Sequence, residues 1–474
     1  MKGIRITYPI EAAVFAALIL VSTLTFALAD AAVLTTSFTV AYLVPRVAYS
    51  RLSHSTPLGT LALAGAWMVM SLLGVEYIYT CTSLAGHPFS DPELWHDAAR
   101  YYQYALDIYN HHYHHTHTMP FPGLPLMTVL TWKIFGVNIV YPLAMNLCLT
   151  LSTIVLTGSL TVRLLKNRTP HSDKWLSGLA MAITACLFFF ISHGTKLLKE
   201  PLTYFGFIIV ALSLASLKNC HERGMQWRTI ATFFLGITLV ASTRTTYSIM
   251  ALMGVVLTAL ANRKQWRTSL VMIAIGSLMY IFISEVANAI SFQHYDTYFD
   301  PDKSSLMSYQ FIIAPQQMAL GSIVGDYFTL VWWRKALLLP LTCIAQYLIP
   351  FPWSTASDIY LSEIVPRIRF TWYFVGALVI FYGIFLSWRK STNLGLYPLW
   401  VAFCFVVPAY VTAGSVSRYM LPFQPLMIPL VIYTLSLVNQ SKYRKIFCIF
   451  ACVYVAALIA ALIVCYHMQS INML

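Results

Sequence analysis

"MKGIRITYPIEAAVFAALILVSTLTFALADAAVLTTSF", residues 1–38, opens with Lys2 and Arg5 and then runs apolar almost without relief. A basic start, an apolar middle and small residues at Ala27 and Ala29 also fit a cleaved leader. Further hydrophobic segments follow without pause, so the stretch reads as a retained first transmembrane helix. The whole chain repeats the pattern: of 474 residues 58% are hydrophobic and 10% charged, with a mean hydropathy of +0.68. Soluble domains carry about 25% charged residues, so this chain cannot clothe a globule in water. It reads as an all-α polytopic membrane protein.

Apolar runs of roughly 17–23 residues can cross a hydrocarbon core of about 30 Å as helices. They fall near 9–29, 31–47, 57–79, 142–164, 175–193, 200–217, 228–243, 246–262, 268–290, 370–387, 394–412, 418–437 and 446–466. This predicts about 13 transmembrane helices within a range of 12–15, the stretches 121–141 and 309–350 being ambiguous. Basic residues set the orientation. Lys2, Arg5, Arg46, Arg51 and the loops "RLLKNRTPHSDK" (163–174), "LKNCHERGMQWR" (217–228), "NRKQWR" (262–267), "SWRK" (387–390) and "SKYRK" (441–445) all fall on one side if the N-terminus is cytoplasmic. The net charge of +13 is explained by that topology signal rather than by nucleic acid. The nine cysteines mostly sit in apolar runs without paired spacing, which indicates neither a disulfide framework nor a zinc motif. No fixed-period repeat and no linker is visible, so residues 1–474 read as one membrane domain. It includes an extracytoplasmic loop at 80–120 and a second extracytoplasmic or re-entrant region at 291–369.

The polar residues that topology does not explain gather on the extracytoplasmic side. In "SDPELWHDAARYYQYALDIYN" (90–110), Leu94, Trp95, Ala98, Tyr101, Tyr102, Ala105, Ile108 and Tyr109 recur at helical spacing, the pattern of an amphipathic helix lying at the interface. Asp91 before Pro92, and Ser90 with Glu93, also suit a helix start, so Asp91 and Glu93 are candidates for capping as well as for chemistry. Asp97 lies mid-helix, either on a solvated face beside Arg100 or in a site. In "KEPLTYFGF" (199–207), Lys199 and Glu200 open an apolar span. Glu200 can cap the helix dipole, or the pair can face a substrate, lysine drawing phosphate and glutamate placing a hydroxyl or a cation. Arg244 in "ASTRTTYS" (241–248) and Arg418 in "SVSRYMLPFQPL" (415–426) lie at the extracytoplasmic edge, against the topology rule. Snorkelling and structural pairing compete there with a phosphate contact.

"NHHYHHTHT" (110–118) concentrates histidine. His111 with His115, or His114 with His117, can share a helical face and make a weak candidate site for a divalent metal. A polar interfacial loop and a substrate-recognition role are the alternatives. No cofactor is required.

Taken together, these segments resemble the GT-C fold membrane glycosyltransferases, in the group of lipid A aminoarabinose transferases and protein O-mannosyltransferases. The family's first loop carries an acid, an aromatic four residues on and a small residue four after that. Asp91, Trp95 and Ala99 fit, as do Asp97, Tyr101 and Ala105. "MPFPGLPLMTVLTWKIFGVN" (119–138) is similar to the proline-rich segment that follows, and "LLKEPLTYF", "STRTTY" and "SRYMLPFQPL" look like the later motifs in order. The likeness spans roughly residues 75–435. The chain departs from better-known members in having an extra N-terminal helix pair and no evident large soluble domain after the last span.

The resemblance implies transfer of a sugar from a polyprenyl-phosphate carrier to a glycan, lipid or protein acceptor. The reaction is inverting and uses a general base, as in cell-envelope glycan biosynthesis. Asp91 or Asp97 would be the base, with Asp91 preferred as an acid at the start of the loop helix. The two lie about 240° apart on an ideal helix and would not share one job. Lys199, Arg244 and Arg418 would neutralise the departing phosphate, with Glu200, Glu93 and Tyr101 contacting substrate. The expected setting is a bacterial inner membrane, with a monomer working on its periplasmic face among membrane lipids. An endoplasmic reticulum membrane with a luminal site is topologically equivalent. The competing functions are a lipid-linked sugar transporter or flippase, a polysaccharide polymerase or ligase using the same donors, and an assembly subunit without catalysis.

Overall fold

The computed structural model describes residues 4–83, 92–111, 122–217, 223–261, 265–291, 331–337, 339, 378–379, 381–387, 394–412, 417–438 and 440–471. Among them there is helix and no strand, and seven helices are long and apolar enough to cross a membrane. Large apolar side chains stand out from these helices, among them Leu24 and Leu28 at 78% exposure and Phe282 at 57%. Such a surface is stable only against lipid tails, and the chain is an integral membrane protein.

Contacts divide the chain into two compact units, Met1–Gln293 with Gln424–Pro429, and His294–Phe423 with Leu430–Leu474. The first unit begins with α1 (Ile4–Thr25), α2 (Leu28–Ser50) and α3 (Pro57–Ser83). A polar knot ties them. The Tyr42 hydroxyl donates to Glu11 Oε1 at 2.5 Å and Arg46 Nε donates to the same oxygen at 2.6 Å. Tyr42 also stacks on Trp67 of α3, with centroids 4.3 Å apart. Arg46, which the sequence offers as a topology signal, thus also holds a structural ion pair. The start of α3 follows from local chemistry. Thr56 precedes Pro57 and its hydroxyl accepts from Gly59 N at 3.0 Å, a side-chain cap with proline at the first helical position.

The connection before α3 carries His54, whose Nε2 lies 3.2 Å from Ser159 Oγ. Burial lowers the His54 pKa from its ordinary 6.5; the Asp173 carboxylate opposes that shift and Arg163 adds to it. The fold therefore favours neutral imidazole, and its contribution to stability is full above about 6.5 and declines as pH falls through the lowered folded value. Thermal unfolding in detergent should show a melting temperature that drops between pH 7.5 and 5.5, and His54→Gln should flatten that drop.

The amphipathic helix expected in the first loop is present as α4 (Pro92–Tyr109), followed by α5 (Gly123–Phe135) and α6 (Val140–Leu165). Ala98, Tyr101 and Ala105 of α4 are buried while Arg100 and Gln103 are exposed, so the face read from the spacing is the packed one. Tyr102 and Tyr109 meet Trp132 of α5 edge-on, at 5.3 and 6.1 Å. Burial, with Cys81 nearby, raises the Tyr102 phenol pKa. The ambiguous 121–141 stretch resolves as α5, whose 13 residues span only about 20 Å, too short to cross.

The span expected at 175–193 is broken. α7 (Asp173–Ala185) and α8 (Phe188–His193) are separated at Cys186 and Leu187, where Cys186 N bonds back to both Ala182 O and Ile183 O as the helix tightens and ends. The residues from Ala185 to Phe190 that flank the break are all apolar, so hydropathy carries little sign of it. α7 itself begins under Ser172, which accepts from Trp175 N at 3.3 Å. Residues 194–199 are irregular, and α9 (Glu200–Leu217) then runs through the core with most of its side chains buried on all sides.

α10 (Arg223–Thr243), α11 (Thr245–Ala261) and α12 (Trp266–Ser291) complete the first unit's long helices. α9 and α10 touch backbone to backbone. A methyl group on Gly206 would stand 3.0 Å from Gly236 O, and one on Gly236 would stand 2.9 Å from Gly206 O. Gly206→Leu should force the helices apart and cost about 2 kcal/mol or more, read as a lower melting temperature in detergent with Gly206→Ala falling between.

The second unit is described in α13 (Tyr397–Thr412), a 3-10 turn at Ser417–Phe423, the Leu430–Val438 part of α14 (Gln424–Val438) and α15 (Ser441–Ile471). Tyr382 anchors it, donating to Tyr443 O at 2.9 Å and meeting Phe447 edge-on at 5.0 Å. The 309–350 stretch lies mostly outside the described residues.

Candidate functional site

The site is built where α9 starts. A proline at position 201 fits the first helical turn, and Glu200 stands at the positive end of the helix dipole. The chain ahead of it, 194–199, leaves the helix through turn bonds such as Thr195 N to Ser192 O and Lys196 N to His193 O, and Gly194, Thr195, Leu197, Leu198 and Lys199 are buried. Irregular backbone at membrane depth persists only when protein groups satisfy it. Asn146 of α6 supplies them, its Nδ2 donating to Lys196 O at 2.9 Å and to Leu198 O at 3.0 Å. Leu197 N donates to the Tyr77 hydroxyl at 3.4 Å. The segment is stapled from two helices.

Lys199 and Glu200 are accordingly fixed, at 5% and 4% exposure. Lys199 Nζ lies 5.9 Å from the ring centroid of Tyr101 on α4, a cation–π contact, and Tyr101 is itself buried at 3%. Asp97 is half-buried one turn earlier on the same face of α4. The structure thus brings Lys199, Glu200 and Tyr101 together, with Asp97 adjoining through its own helix. Glu200 Oε2 is buried without a hydrogen-bond partner. One turn further along α9, the buried Tyr204 hydroxyl hydrogen-bonds Thr150 Oγ1 of α6, and its ring lies 4.2 Å from Phe190.

Arg244 occupies the break between α10 and α11, half-buried. Its guanidinium stands 5.3 Å from the Tyr247 ring, which in turn meets Phe207 of α9 at 6.0 Å. Arg244 is thereby linked to the same helix that begins at Glu200. The remaining candidates are less fully placed. Glu93 lies within α4 and Arg418 within the 3-10 turn of the second unit, but the side chains of both fall outside the described residues. Asp91, His114, His115 and His117 also lie outside them. His111, in the turn just past α4, has a positive φ of 59° and is exposed. Among the described residues no group of three His, Cys, Asp or Glu could hold a metal ion.

Sequence reading missed Asn146 and Tyr77. An asparagine in an apolar span was the available sign, since polar side chains in membrane helices tend to bond across to neighbours. Chemically the cluster offers a fixed ammonium, a carboxylate with a vacant oxygen and a second acid one helix away, in surroundings where charge interactions are strong. Compared with known proteins, the chain matches no family model and no curated protein.

Proposed function

We propose that the chain is a membrane glycosyltransferase that moves a sugar from a polyprenyl-phosphate carrier to an acceptor hydroxyl on the extracytoplasmic face. It would be a GT-C-like bundle of about 13 spans. The observation that carries this is the buried ammonium of Lys199, held against Tyr101 of the interfacial helix and next to Glu200. A cation kept at low exposure is suited to a phosphate that arrives within the membrane's edge. Asp97 is the general base in place of the Asp91 preferred from sequence, because it stands half-buried one turn before Tyr101, the residue that Lys199 meets. It takes the proton of the acceptor hydroxyl as that oxygen attacks the anomeric carbon from the face opposite the phosphate. The bond from the sugar to the phosphate oxygen breaks, and polyprenyl phosphate leaves with the electron pair, its charge met by Lys199 and Arg244. The anomeric configuration inverts.

A second function has one observation behind it. The break between α7 and α8 and the irregular 194–199 segment are the kind of interruption found at transporter substrate sites, so a lipid-linked sugar carrier is the rival. Proteoliposomes separate the two. Given labelled polyprenyl-phosphate sugar and a mixed acceptor pool, a transferase releases free polyprenyl phosphate. A carrier moves the intact lipid across the bilayer with no release, and that result would exclude transfer.

A further inference from the structure

α6 and α9 lie side by side, and the spacing along them repeats. Thr150 and Tyr204, which bond each other, are each four residues beyond Asn146 and Glu200. Those two therefore occupy facing positions one turn, about 5.4 Å, before a bonded pair. The two bonds from Asn146 Nδ2 to the Lys196 and Leu198 carbonyls hold it beside the chain that leads into Glu200.

Both residues are left with a buried oxygen and nothing to bind. Asn146 is fully buried and its Oδ1 has no hydrogen-bond partner; Glu200 is 4% exposed and its Oε2 has none either. Buried acceptors without donors are costly and rare in native proteins, and two at the same level of adjoining helices define a place that calls for donors. What fills it must supply O–H or N–H groups rather than lone pairs. A metal ion there would stand close to the Lys199 ammonium in a medium of low dielectric, where like charges repel strongly. A neutral group with two hydroxyls meets both oxygens at no such cost.

We propose that Glu200 Oε2 and Asn146 Oδ1 form an acceptor pair that receives two hydroxyls of the ligand's sugar ring, while Lys199 beside them takes the phosphate. The proposal rests on the transferase function above and assigns the selection of the sugar to this pair. Sites built to bond a hydroxyl reject analogues that lack it far more strongly than apolar pockets discriminate by size.

The test compares binding of two lipids to purified protein in detergent: a radiolabelled polyprenyl-phosphate hexose and the bare polyprenyl phosphate. Glu200→Met removes the acceptor and keeps the length of the side chain. It should lower the affinity for the sugar lipid at least tenfold relative to that for the bare lipid, which binds as well as before or more tightly because a carboxylate beside its phosphate is gone, with an unliganded melting temperature at or above that of the parent. Glu200→Gln, which still carries a carbonyl oxygen, should recover part of the loss. Asn146→Leu should show the same selective loss wherever it folds, and Glu200→Met decides the matter where it does not. An unchanged ratio of the two affinities, whether both weaken, both tighten or neither moves, overturns the acceptor pair. So does a melting temperature that rises with Mg2+, Ca2+ or Mn2+ in the parent but not in Glu200→Met, which would mark a cation site. If the parent protein binds neither lipid, the transferase function itself fails, and the pair with it.

Discussion

Lys199→Met is expected to lower kcat/KM for a polyprenyl-phosphate sugar by about 10²–10³-fold, the loss typical of removing one fixed donor from a developing oxyanion. The size follows from burial. Lys199 is 5% exposed and its ammonium is positioned over Tyr101, so the ammonium has little water to shed when it meets a phosphate and is already held in place. Methionine keeps most of the stem and removes the charge. Lys199→Arg should rescue only partly, because a planar fork does not replace a compact ammonium in a fixed space. Melting temperatures in detergent separate this from misfolding: the variant should melt within a few degrees of the parent. An unchanged kcat/KM would place the phosphate elsewhere.

Asp97→Asn should lower kcat by about 10²–10⁴-fold, the range that a positioned general base contributes, with donor binding close to that of the parent. The contrast between the two substitutions is the informative part. Losing Lys199 affects binding and rate together, since the charge meets the phosphate before and during departure; losing Asp97 affects the proton transfer alone. Asp91→Asn, measured beside it, should keep most of the rate. The reverse ranking of the two acids would move the base to Asp91 at the head of the loop helix.

Much of the helical framework can be read from the sequence because it rests on sums over many residues. The apolar run 200–217 and the helix Glu200–Leu217 coincide, since Lys199, Glu200 and Pro201 mark its start in charge and in backbone preference. The amphipathic α4 is equally legible, its buried Ala98, Tyr101 and Ala105 standing at helical spacing. Features set by one or two residues are not. The break at Cys186 and Leu187 replaces apolar residues with apolar residues and leaves hydropathy untouched. The short α5 looks like a span until its 13 residues are bounded by Gly136 at φ 91°.

The site divides in the same way. Lys199, Glu200 and Arg244 attract notice as charges where topology predicts none. Their setting depends on partners distant in sequence: Asn146 reaches across 50 and 52 residues to the carbonyls it holds, and Tyr77 across 120 to Leu197 N. An asparagine in an apolar span signals that it bonds to a neighbouring helix, but nothing local to either residue says to which carbonyl or amide. Arg46 shows the converse. Its position suits a topology signal, and only the structure adds that Glu11 and Tyr42 engage it.

The most direct test is a single-turnover reaction with purified protein and a stereochemically defined, radiolabelled polyprenyl-phosphate sugar. A transferase releases one free polyprenyl phosphate for each glycosylated acceptor, with the opposite anomeric configuration in the product and with both signals lost in Asp97→Asn. Intact donor recovered in full from every sugar tried, with protein shown to be folded and to bind the lipid, would contradict a transferase and leave a carrier.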